Sequence, residues 1–69
     1  MRTNNLAERP KANLKRGNKF KELGNVNESI QSYKIAIQIK PDFAQPLSEL
    51  AKIYESQENW SEAVKCYRR

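Results

Sequence analysis

Histidine is absent from this chain, and cysteine occurs once, at Cys66. Without an imidazole the commonest metal ligand and the commonest general base near neutral pH are both missing, and a single thiol builds neither a thiolate cluster nor an intrachain disulfide. The lone thiol suits a reducing interior, so a cytoplasmic location is expected. Ser29, Ser32, Ser48, Ser56 and Ser61 have no base to activate them, and Cys66 lacks the same partner in what reads as a helix interior. The two glycines, Gly17 and Gly24, stand too far apart to cradle a phosphate. Long apolar runs are lacking as well: no stretch is long enough to span a bilayer, and the opening Met-Arg-Thr-Asn-Asn-Leu-Ala-Glu-Arg-Pro never gathers the apolar centre of a signal peptide. The expectation is therefore a chain that is not itself an enzyme, carries no cofactor or metal and enters no membrane.

What is present is charge, and it is unevenly spread. Residues 1–21 hold Arg2, Arg9, Lys11, Lys15, Arg16, Lys19 and Lys21 against Glu8, a net +6, whereas residues 22–69 carry −1. Such a stretch can attract phosphate or an acidic partner, although lysine and arginine fill exposed helix positions routinely and a solvated helix face is the default reading. No aromatic residue is interleaved with these cations except Phe20, which belongs to the apolar pattern, and this argues against nucleic acid as the partner.

Shifted by 34 residues, the sequence matches itself in character. Phe20 falls on Tyr54, Glu28 on Glu62, Ser29 on Ala63, Ile30 on Val64, Tyr33 on Tyr67, Lys34 on Arg68 and Gly17 on Ala51. A repeating packing unit preserves its apolar and small positions in this way. Gly17, Ser29 and Ala36, with Ala51 and Ala63, are small where two helices cross closely, and Phe20, Tyr33, Tyr54 and Tyr67 are expected to fill the space beside them, mostly buried. Glycine inside a helix costs about 1 kcal/mol against alanine, so Gly17 implies a tight crossing. Leucine there should overpack, while Gly17→Ala is expected to be tolerated because the second copy already carries Ala51.

Punctuation divides the chain further. Gly24 suits the left-handed residue that ends a helix, and Asn25 with Glu28, repeated as Asn59 with Glu62, reads as a capping box. Pro41 stops the second helix and leaves Asp42 as the expected N-cap of the third. Helices are predicted near 10–23, 27–40, 44–57 and 60–69.

The run from Leu14 to Asp42, and the second copy with Leu47, Leu50, Ala51, Tyr54, Glu62, Ala63, Val64 and Tyr67, resemble the tetratricopeptide repeat in length and in aromatic, small-residue and terminal-proline pattern. The resemblance covers residues 10–69 and implies an all-α fold of two stacked antiparallel helical hairpins, the start of a right-handed α-solenoid. It divides the chain into an N-terminal tail (1–9), a first repeat (10–43) and a second repeat (44–69) truncated in its second helix. Asn13 and Arg16 stand where the second copy has Leu47 and Leu50, as expected of a first hairpin with no neighbour before it. At the other end nothing stops the last helix before Arg69. Ile53, Trp60, Val64 and Cys66 could take a further helix, so a longer parent or self-association through this end is expected, with fraying after Lys65 as the alternative.

In this family the first helix of each hairpin lines a concave surface that holds a peptide. Carried onto this chain, that implies Lys11, Leu14, Asn18, Lys21 and Glu22 from the first hairpin and Gln45, Ser48, Lys52 and Glu55 from the second, with Asn and Lys able to pair a peptide backbone and its carboxylates. The carboxylate clamp of chaperone-binding members fits at Asn18 alone: Leu14 stands at its lysine position and Glu49 at its second asparagine. Trp60 reads as a core plug. The function implied is a scaffold that binds a protein or peptide segment. The alternative is the N-terminal array of a larger bacterial enzyme such as a glycosyltransferase or methyltransferase.

Overall fold

A computed structural model describes residues 9–68; of the expected tail only Arg9 falls within them, and Arg69 lies outside. Four helices follow in order: α1 (Pro10–Glu22), α2 (Val26–Ile39), α3 (Ala44–Ser56) and α4 (Trp60–Tyr67), with no strand among the described residues. Three-residue connections fold α1 against α2 and α3 against α4 as antiparallel hairpins, and α3 packs on both α1 and α2. Helix α4 packs on α3 alone.

The 34-residue repeat is written in the backbone as well as the side chains. Gly24 and Glu58, 34 positions apart, both take positive φ, at 82° and 59°. After each, the amide of Asn25 or Asn59 donates to the carbonyl of Phe20 or Tyr54 at 2.8 Å, closing the last turn of α1 and of α3 in the same way. Glycine meets this geometry freely; glutamate adopts it at a conformational cost. Asn25 and Asn59 are the N-caps of α2 and α4, as expected, but neither makes a side-chain capping bond, so the capping box does not close. Phe43, not Asp42, caps α3, because the turn after Pro41 directs Phe43 into the core, where Lys40 Nζ sits 5.2 Å from the centre of its ring. Pro10 and Pro46 lie in the first turns of α1 and α3, where the missing amide hydrogen is no loss.

The core runs through both hairpins. Ile30, Tyr33 and Ile37 of α2, Leu47, Leu50, Ile53 and Tyr54 of α3 and Ala63 of α4 form one cluster, with Leu14 and Cys66 packed at the edge. Tyr33 is fully enclosed: its ring packs against Gly17, and the hydroxyl of Ser29 donates to the Gly17 carbonyl at 2.8 Å. A Cβ at Gly17 would stand 2.5 Å from the ring, so the crossing is tight enough to exclude even a methyl group. The expectation that alanine is tolerated there runs against this spacing, because the Tyr33 ring would have to shift.

The second copy differs. Ala51 is fully buried where the first copy has Gly17, and the ring equivalent to Tyr33, Tyr67, is 60% exposed instead of buried. Trp60, expected as a core plug, is 59% exposed. Trp60, Val64 and Tyr67 share one stripe of α4; of their counterparts on α2, Ile30 and Tyr33 are buried and Val26 is exposed, and among the described residues α4 has no second helix to pack against besides α3. Asn13, expected on an open face, is 3% exposed because it lies in line with Gly17 towards α2; its amide donates to the Arg9 carbonyl at 3.1 Å.

Candidate peptide-binding face

Helices α1 and α3 lie side by side, and one ion pair joins them: Lys21 Nζ donates to Glu49 Oε1 at 2.6 Å across a gap of 28 residues in sequence. The hydrogen bond to Glu49 is the largest influence holding the Lys21 ammonium above its ordinary pKa; burial opposes it, and the Glu49 charge adds to it. Both side chains are partly solvated, so the pair contributes at most about 0.5–1 kcal/mol. Its value is positional. It fixes the register of the two helices whose exposed sides were expected to form a binding surface.

The nine residues expected on that surface fall into three groups. Lys11, Glu22, Gln45, Ser48 and Lys52 are exposed. Leu14 is drawn inward against the core cluster, where it supports the surface more than it presents to it. Asn18, Lys21 and Glu55 are engaged. The Tyr33 hydroxyl donates to Asn18 Oδ1, so the amide nitrogen keeps its two donors for another acceptor. The Tyr67 phenol is pushed up from its ordinary pKa, first by loss of solvent and then by the Glu55 carboxylate beside it.

Between the α1–α2 turn and the second half of α3 lies a groove of about 320 Å³ lined by Lys21, Val26, Glu49, Lys52, Ile53, Ser56 and Gln57. Lys21 and Lys52 were expected there. Val26, Glu49, Ile53, Ser56 and Gln57 were not. The signal for Glu49 was in the spacing: it lies four residues after Gln45 and three before Lys52, on the same side of α3. Val26 comes from the neighbouring helix, and no spacing within α3 could have announced it.

Around the solvent side of α1, Lys11, Lys15 and Lys19 succeed one another by a helical turn, with Arg16 alongside; all four are exposed. Lysines at i and i+4 repel one another by about 0.2–0.5 kcal/mol per pair, so this arrangement costs α1 stability. The first turn of α1 carries no acidic residue and its cap, Arg9, offers no side-chain hydrogen bond, which leaves the helix dipole uncompensated there.

Among the described residues no group of three or more His, Cys, Asp or Glu side chains is placed to hold a metal ion, and no helix is long and apolar enough to cross a membrane. No curated protein and no solved structure matches the chain. The profile of the TPR repeat matches residues 17–58, more than half of the sequence, from the Gly17 crossing through both of the turns that carry positive φ. The repeat in the residues, the repeat in the backbone and this match agree, and the chain belongs to the TPR repeat family, whose repeats generally mediate protein–protein interaction.

Proposed function

We propose that this chain binds a protein segment along the aligned outer sides of α1 and α3, with residues 10–43 and 44–69 as its two repeat units. The observation that carries the reading is the groove beside the Lys21–Glu49 pair: an apolar floor from Val26 and Ile53, rimmed by Lys21 and Lys52, suits one bulky apolar side chain of a bound segment. The free donors of Asn18, held by Tyr33, suit a backbone carbonyl of the same segment. The role is one of binding, not catalysis. A photo-crosslinker placed at Ser48 tests it, with the same group at Lys34 on α2 as the comparison. Capture of a protein at Ser48 and not at Lys34 is expected; equal capture at both positions would remove the reason for choosing this surface.

A second reading rests on a different observation. The exposed stripe of Trp60, Val64 and Tyr67 on α4 supports self-association through that end of the molecule. Sedimentation at increasing concentration should then show a dimer that Val64→Lys abolishes.

A further inference from the structure

We propose that the basic stripe Lys11–Lys15–Lys19 on α1, flanked by Arg16, is a docking surface for an acidic protein segment. This rests on the reading above only in taking the partner to be a protein; the groove meets α1 at Lys21, and none of the four cations of the stripe lines it.

The stripe is built from one helix, so the spacing of its anchor points is fixed by helix geometry: successive lysines rise about 6 Å along the axis. Alternate side chains of an extended strand are spaced at about 6.6–6.8 Å, so an acidic segment with carboxylates at every second residue can meet all three lysines without strain. All four cations are exposed, and among the described residues the ion pairs are Lys21–Glu49 and Lys65–Glu62, neither of which draws on them. Their mutual repulsion and the absence of an acid in the first turn of α1 both run against helix stability, and local rules broken in this way mark surfaces kept for a partner. An anionic segment removes both penalties on binding.

Charge alone would suit nucleic acid equally, and the neighbouring side chains decide between the two. Single-stranded nucleic acid is held by stacking bases on exposed aromatic rings. The single aromatic of α1, Phe20, is half-buried and turned away from the stripe by the helical rotation that separates it from Lys15 and Lys19. Phe20 lies one turn from Arg16 but is half-buried, and no ring of α1 stands beside the three lysines, whereas carboxylates need none.

The test is a fluorescence titration at near-physiological salt with two probes, a labelled peptide of repeating Asp-Ser pairs and an oligothymidylate of equal charge. Three variants accompany the unaltered chain: Lys15→Glu with Lys19→Glu, Lys34→Glu with Lys65→Glu as a control of the same net charge, and Ser48→Arg on the groove side. Circular dichroism confirms that each is folded. The stripe variant should lose about tenfold in affinity for the acidic peptide and the control less than about twofold. Equal losses in both would reduce the effect to net charge and overturn the proposal, as would oligothymidylate binding as tightly as the peptide, or no binding of the peptide to the unaltered chain. If Ser48→Arg loses binding and the stripe variant does not, the stripe is refuted; loss in the stripe variant alone supports the stripe and leaves the groove to the photo-crosslinking test, which does not use this peptide.

Discussion

Replacing Gly17 by alanine isolates the tightest contact in the molecule. Two effects oppose each other. Alanine favours the helix over glycine by about 1 kcal/mol, and the new methyl group must find room 2.5–2.9 Å from Cε1, Cδ1 and Cζ of Tyr33. The ring cannot slide away cheaply, because it is fully enclosed and its hydroxyl is bonded to Asn18. Overpacking of this kind costs about 1–3 kcal/mol, and displacing the ring forfeits the Asn18 bond, about 1 kcal/mol more. The balance is a net loss of about 1–3 kcal/mol. In a domain of this size each kcal/mol lowers the melting temperature by about 4–8 °C. Urea unfolding followed by circular dichroism measures the difference, and a double-mutant cycle with Tyr33→Leu identifies its source. Without the ring, Gly17→Ala should become neutral or stabilising, since only the helix preference remains. An unchanged or raised midpoint for Gly17→Ala in the unaltered background would show that the ring yields, and the account of the crossing would be wrong.

Three further outcomes follow from the same structure. Glu58→Gly should stabilise the chain by about 0.5–1 kcal/mol by relieving the positive φ, and Gly24→Ala should destabilise it by about 1 kcal/mol although no atom lies within 4 Å of the added group; urea midpoints read both. Burial raises the Tyr33 phenol above its ordinary pKa of 10.0, so its stabilisation is complete below that value and is lost as pH rises through the folded-state value. The urea midpoint should fall as pH rises past about 10, and more shallowly in Tyr33→Phe. Trp60→Ser with Val64→Ser should leave the core intact, changing the midpoint by less than about 0.5 kcal/mol because both residues are largely exposed.

Helix positions were legible in the sequence because they rest on local signals that the structure uses. Gly24 ends α1, Pro41 follows α2, and the 34-residue register carries the same turn to Glu58. The burial of Tyr33 and Tyr54 was legible for a related reason, since both face helices present in the same chain. Tyr67 and Trp60 were misjudged because burial at a repeat position depends on the next helix in the stack, which a residue's own periodicity does not report. The missing side-chain caps have another cause: Asn25 and Asn59 stand at the N-cap positions, but their backbones, with ψ of 77° and 74°, lie outside the extended conformation typical of a capping residue. In the binding face, residues on one helix could be grouped by spacing. The Lys21–Glu49 pair and the place of Val26 in the groove arise from two helices meeting, and the 34-residue comparison contains no term for that.

Helix α4 packs on α3 alone, and this sets an order in which the molecule comes apart. Its release uncovers only its own side of α3, while the contacts of α3 with α1 and α2 persist, so detachment can proceed from that end as a zip opens. Amide hydrogens of α4 should exchange first, those of α3 next and those around Tyr33 last. The loosest element is also the one that carries Trp60, Val64 and Tyr67, so whatever binds that stripe acts as a clasp: holding eight residues in place slows the opening of all four helices.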